Sequence, residues 1–151
     1  MSRHRPDRRA LVTASLCAPL AALLAACARS DPERELRATI AAMAQAIERR
    51  EPADFLASVA EDFTRESSAF GKQDARRILA GILLRNEKVT VTAVVTDLTL
   101  EGDRAQVRLR VVATGGAGLM PERGQTWEFE SSWRRVDGRW QVFNAEWREG
   151  L

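Results

Sequence analysis

The side chains that most often carry catalysis are scarce in this 151-residue chain. It has one histidine, His4, no tyrosine, and two cysteines, Cys17 and Cys27, all within the first 27 positions. Beyond position 27 there is no imidazole from which to build an acid–base pair, a catalytic triad or a histidine metal site. No metal and no cofactor is expected. The glycines of "TGGAG" (residues 114–118) lack the strand–loop–helix setting and the lysine of a phosphate-binding loop. Carboxylates remain, and Asp97 and Glu146 are the candidates for carboxylate-only chemistry. Each is equally an ordinary strand residue engaged in hydrogen bonds or salt bridges. A buried Glu146 would have its carboxyl pKa raised by desolvation unless an arginine offset it.

The other group able to do something chemical is aromatic. All four tryptophans fall between Trp127 and Trp147, in two strand-like runs, "QTWEFESSWRRV" and "RWQVFNAEWR", joined by Asp137-Gly138, a strong two-residue hairpin signal. Pairing across that turn sets Trp140 opposite Arg135, Val142 opposite Trp133, Asn144 opposite Ser131 and Glu146 opposite Phe129. Two-residue alternation then projects Trp127, Phe129, Ser131, Trp133, Trp140, Val142, Asn144, Glu146 and Arg148 from one face. A mostly apolar wall with a few polar groups is what a small-molecule pocket requires. Phe55 and Phe63, from the preceding segments, complete the expected lining. A plain hydrophobic core has the same signature, and a bulge in the last strand would reverse the facing of its later residues. Phe143 and Trp147 are expected on the opposite face, where they would suit a contact with a second copy of the chain.

The elements that position these residues are legible from periodicity. Ser30 or Asp31 can cap a helix with Pro32 in its first turn and Glu33 closing a capping box. Leu36, Ile40, Met43 and Ile47 recur at helical spacing to about Arg50. Pro52 opens a short second helix with Phe55, Leu56 and Val59 on one side, and "DFTRESSAFGK" reads as a short extended piece and a turn. Residues 72–85 form a third helix marked by Ala75, Ile78, Leu79, Ile82 and Leu83. The period then changes. Residues 88–100 are rich in β-branched side chains, "EGD" is a hairpin turn, and "AQVRLRVV" alternates with Val107, Leu109 and Val111 on one face. "TGGAGLMPERG" (residues 114–124) is expected to be a loop. The fold class is α+β: three N-terminal helices packed on a curved, four- to five-stranded, mainly antiparallel sheet.

The amino terminus is a separate matter. Arg3, Arg5, Arg8 and Arg9 precede an uncharged stretch from Ala10 to Ala28, the three-part pattern of an export signal. A permanent span is disfavoured because the run is dominated by alanine, is interrupted by Pro19 and has no aromatic or basic anchor at its end. "Leu24-Ala25-Ala26-Cys27" resembles the lipobox of bacterial lipoproteins, in which small residues precede a cysteine that becomes lipidated. The resemblance implies residues 1–26 as a cleaved signal peptide, Cys27 as the lipid-attachment site with a tether to residue 30, and a domain over residues 31–151. Several acyl chains at about 0.8 kcal/mol per buried CH₂ would hold such a protein stably on a membrane. Ala28, where an Asp commonly signals inner-membrane retention, implies the outer membrane, facing the periplasm. From Cys27 onward 19 basic residues face 20 acidic ones, so net charge gives no reason to expect a nucleic-acid partner. A chain with no second cysteine after Cys27 has no intramolecular disulfide there, and the fold must stand on its core.

The element order, with "DFTRES…GKQDARRIL" and the closing "WRRVDGRWQVFNAEW", resembles the nuclear-transport-factor-two-like superfamily, including its SnoaL-like and ketosteroid-isomerase-like branches, over most of residues 31–148. The resemblance implies a cone-shaped α+β roll with a pocket at its wide end, and nothing about the ligand. The tyrosine of the isomerase branch and the Asp–His chemistry of the SnoaL-like and scytalone-dehydratase-like members have no counterpart after position 27. The expected function is therefore a lipid-anchored envelope protein whose domain binds a small apolar ligand or an envelope protein without catalysis. The alternatives are a carboxylate-dependent isomerase or dehydratase and a structural dimerisation module.

Overall fold

The computed structural model describes residues 31–66, 69–116 and 123–150. The leader, Cys27, the alternative cap Ser30 and residues 117–122 lie outside the described residues. Helix α1 (Pro32–Glu48) is capped by Asp31, whose Oδ1 accepts from the N–H groups of Glu33 and Arg34 at 3.1 and 3.2 Å. Such a cap contributes about 1 kcal/mol. The expected capping box does not form: with Asp31 as cap, Glu33 stands too early to reach back, and it pairs with Arg37 instead. Leu36 and Ile40 bury the inner stripe of α1. Arg50, in the left-handed region at φ 61°, reverses the chain into α2 (Pro52–Ala57).

The strand β1 (Val59–Arg65) begins earlier than periodicity suggests, taking Val59 out of the second helix. Parallel pairing of β1 with the last strand accounts for this, since Val59 stands opposite Val142. The third helix, α3 (Lys72–Arg85), follows β1, so one strand separates the second and third helices. The side chain of Asp74 accepts from Gly71 N–H at 2.9 Å and pairs with Arg77, and these contacts hold its carboxyl below the usual carboxylate range.

Four long strands complete the fold: β2 (Lys88–Glu101), β3 (Arg104–Gly116), β4 (Arg123–Val136) and β5 (Arg139–Glu149). The sheet is mixed, in the order β1-β5-β4-β3-β2, antiparallel everywhere except between β1 and β5. Asp137 (φ 50°) and Gly138 (φ 74°) form the expected tight turn between β4 and β5; two left-handed residues match the twist of a hairpin. Residues 114–116 and 123–124, expected in a loop, instead extend the β3–β4 ladder, with Thr114 opposite Gly124 and Gly115 opposite Arg123. Gly115 is needed there for closeness: a Cβ would stand 2.5 Å from Oδ1 of Asn86.

Inward positions of the sheet and the helices share one core, in which Leu36 and Val107 are fully buried and Trp133, Trp140 and Val142 nearly so. A satellite cluster of Leu79, Leu83 and Val89 fastens α3 to the start of β2. Arg135 pairs with Glu35 at 2.7 Å and ties β4 to α1. Among the described residues every buried one lies between Leu36 and Ala145, within the compact unit that starts at Asp31, so this unit carries its own core.

Candidate binding cavity

Between the helices and the inner face of the sheet lies a cavity of about 650 Å³, within the size range of small-molecule sites. Ile40, Met43 and Ile47 of α1, Phe55 of α2, and Leu79 and Ile82 of α3 form its helical side. Val91, Ala93, Leu109, Val111, Trp127, Phe129 and Trp133 form its sheet side. Period-two alternation explains the sheet side, because on β3 and β4 every second side chain points inward.

Six of the expected lining residues stand on this wall: Phe55, Phe63, Trp127, Phe129, Ser131 and Trp133. Three do not. Trp140 is buried in the core near the hairpin turn, away from the cavity, and its indole N–H has no partner among the described residues. Asn144 and Glu146 point away, because β5 carries a bulge. The pairing Trp133↔Val142 is followed by Ser132↔Asn144, leaving Phe143 as the extra residue. A one-residue shift turns every later side chain to the other face. Asn144 consequently staples β5 to β1, donating to Thr64 Oγ1 at 2.9 Å and to the Glu66 carbonyl at 2.8 Å. Glu146 is exposed opposite Glu130. Ala145 and Trp147 turn inward in their place.

Trp147, assigned by simple alternation to the outer face, therefore lines the cavity. It stacks on Phe129 with ring centroids 5.7 Å apart, meets the edge of Phe70 at 5.5 Å, and carries the Arg65 guanidinium 4.2 Å from its own centroid. The signal for this shift is in the sequence. In "RWQVFNAEW" the apolar phase moves from even positions (Trp140, Val142) to odd ones (Phe143, Ala145, Trp147), and the change falls at the adjacent pair Val142-Phe143.

Comparison with known proteins places this architecture. No family model and no curated protein matches the chain. Solved structures do match. A proposed scytalone dehydratase from Novosphingobium aromaticivorans superposes with a TM-score of 0.68 at 16% identity, covering 79% of this chain and 84% of that one. A proposed dehydratase of the nuclear-transport-factor-two-like family from Streptomyces avermitilis gives 0.67 at 17%, covering 80% and 97%. A protein of unknown function with a cystatin-like fold from Nostoc punctiforme gives 0.58 at 15%, covering 78% and 90%. The fold is nuclear-transport-factor-two-like.

The chemical character of the cavity follows from its lining. Among the described residues its lining includes no Asp, Glu, His, Tyr or Cys; its polar members are Arg85, Asn86, Thr114, Gln125 and Ser131. Ser131 is fully engaged, donating to the Val107 carbonyl at 3.1 Å and accepting from the Trp133 indole N–H at 2.9 Å. Both carboxylate candidates stand outside: Asp97 is exposed beside a bulge in β2, and Glu146 is on the outer face. No group of His, Cys, Asp or Glu among the described residues is placed to hold a metal ion. A second depression, on the outer face, is lined by charged and polar residues including Arg110, Glu128 and Arg148. No helix among the described residues is long and apolar enough to cross a membrane.

Proposed function

We propose that this chain is a lipid-anchored cell-envelope protein, tethered through Cys27, whose nuclear-transport-factor-two-like domain holds a small apolar molecule without transforming it. The observation that carries the reading is the lining of the cavity: aromatic and aliphatic side chains surround a volume large enough for a ligand, and its one deep polar group is already satisfied. Affinity in such a site comes from removing apolar surface from water, at about 25 cal/mol per Å². The nearby tryptophans would report occupancy.

The test uses residues 31–151 and the neutral probe N-phenyl-1-naphthylamine. Saturable probe fluorescence, excited by energy transfer from tryptophan and reaching one probe per chain, is the expected result. Ala93→Phe, which fills the cavity from its sheet wall, should retain a cooperative thermal transition and lose the probe signal. Equal binding by this variant would place the probe elsewhere and remove the reading. The anchor has its own measurement, mass spectrometry of the mature amino terminus. A Cys27 carrying diacylglycerol supports it, and an unmodified Cys27 or a retained leader overturns it.

The dehydratase reading rests on the names given to two structural neighbours. It requires a carboxylate at the ligand, and Asp97 and Glu146 face away from the cavity. Its measurement is turnover of a hydroxy-ketone by the wild type and its loss in Asp97→Asn or Glu146→Gln.

A further inference from the structure

The cavity is apolar along its length and polar at one end. Asn86, Thr114, Gly115 and Gln125 gather where α3 ends against the start of β4, with Asn86 pressed on Gly115. Arg85 stands with them and is the only charged residue of the lining among the described residues. It makes no ion pair or hydrogen bond among the described residues. Its guanidinium folds back along α3, with Nη1 3.3 Å from where a Cβ on Gly81 would stand.

A basic residue in the last turn of a helix ordinarily serves the helix itself, by offsetting the partial negative charge of the terminal carbonyls. Here another residue does that. Arg50, held in its left-handed turn, donates to the carbonyls of Leu83 at 2.6 Å, Asn86 at 2.7 Å and Glu87 at 3.2 Å. The Asn86 side chain covers the carbonyl of Ile82 at 2.9 Å. The end of α3 is thus capped without Arg85, with the carbonyls of Ile82 and Leu83 in its last turn engaged. Glu48, at the end of α1, accepts from Val91 N–H at 2.8 Å, and neither it nor Glu87, which follows Asn86, lines the cavity among the described residues.

We propose that the cavity takes a monomeric anionic amphiphile: one acyl or similarly slender apolar chain among the aromatic residues, with a carboxylate or equivalent headgroup at Arg85. This rests on the apolar-ligand reading above and adds to it an orientation and a charge. The headgroup stays at the rim, where the guanidinium and the amide groups of Asn86 and Gln125 can donate to it. Among the described residues the buried end of the cavity offers no charge.

Displacement of N-phenyl-1-naphthylamine from residues 31–151 tests the proposal, with dodecanoate and dodecanol as competitors of equal length below their aggregation concentrations. Dodecanoate should compete about tenfold better than dodecanol, the worth of one charge-assisted contact, and Arg85→Gln should abolish that difference. Equal competition by both in the wild type, or an advantage of dodecanoate that survives Arg85→Gln, would overturn the headgroup assignment and leave the apolar-ligand reading intact. Failure of the probe itself to bind would remove both. A phospholipid chain could present the same chemistry, so vesicles of phosphatidylglycerol form a separate arm. Displacement by vesicles without displacement by dodecanoate would also overturn the proposal.

Discussion

Phe143 and Trp147 stand four residues apart on one strand and end on opposite faces of the sheet. Trp147 joins Phe129 and Phe70 in the wall of the cavity. Phe143 lies outside, its ring 5.7 and 5.4 Å from the guanidinium groups of Arg104 and Arg134. The difference extends along both faces. Inward positions of β3 and β4 are mostly apolar, with Ser131 and Arg135 held by specific partners, whereas the outward ones carry exposed ion pairs such as Arg110–Glu128 and Arg108–Glu130. Packing inside is sensitive to shape, since interiors are close-packed. Charges outside are solvated in both folded and unfolded states, so replacing them costs little. One extra residue in β5 decides which aromatic side chain belongs to which regime.

The sharpest way to break this contrast is to truncate the two aromatic residues separately. Trp147→Ala should destabilise the domain by about 2–4 kcal/mol, below the top of the range for large-to-small changes because the ring is only partly buried. Phe143→Ala should cost about 1 kcal/mol or less, the size of an exposed cation–π contact. Denaturant titration measures both. Equal losses would mean that no bulge separates them.

That contrast also marks what the sequence could convey. The boundaries of α3, the Asp137-Gly138 turn and the partners of Trp133 and Arg135 follow from periodicity and turn chemistry, which are local. The facing of Asn144, Glu146 and Trp147 depends on a bulge, which adds a residue without any special residue type to announce it. Its trace is the change of apolar phase at Val142-Phe143. The bulge in β2 leaves a similar trace, as inward positions pass from Val91, Ala93 and Val95 to Leu98 and Leu100. The start of β1 at Val59 was hidden for a different reason, because it is fixed by pairing with a strand more than seventy residues away. The polar rim at Arg85 was equally non-local, requiring the end of α3 to meet the start of β4.

A second inner-face test concerns Ser131, the one polar side chain in the buried set among the described residues. Its hydroxyl links the Trp133 indole to the Val107 carbonyl, and Ser131→Ala leaves that indole N–H buried and unpaired. The expected loss is about 1–2 kcal/mol, mostly the desolvation of an unsatisfied donor. Trp140, whose indole N–H already lacks a partner among the described residues, shows that the fold tolerates such a group. An unchanged midpoint in urea for Ser131→Ala would mean that water replaces the hydroxyl.

On the outer face the corresponding test is a double-mutant cycle on Arg110 and Glu128, whose charged atoms lie 2.7 Å apart with both side chains partly exposed. The coupling should be about 0.2–1 kcal/mol and should shrink in high salt. A coupling above that of Ser131→Ala would reverse the ranking of the two faces.

The smallest effect expected is a pH dependence confined to the outer face. Arg134 reaches over β5, past Phe143, to grip both carboxylate oxygens of Asp62, one of them at 2.9 Å from Nη1. This hydrogen bonding is the main reason that the Asp62 carboxyl is held below its ordinary value, and the same contact raises Arg134. A carboxyl whose folded pKa is depressed binds its proton more readily in the unfolded chain. Its contribution is therefore complete above the unfolded value, about 3.9, and disappears as pH falls through the lower folded value. Asp62 is mostly exposed, so solvent screening keeps the contribution small. Arg134→Gln should flatten the stability profile between pH 5 and the acid limit while leaving probe binding at neutral pH unaltered, because the pair touches only the outer surface. A loss of probe binding in this variant would show that the two faces are coupled through β5 and the bulge at Phe143.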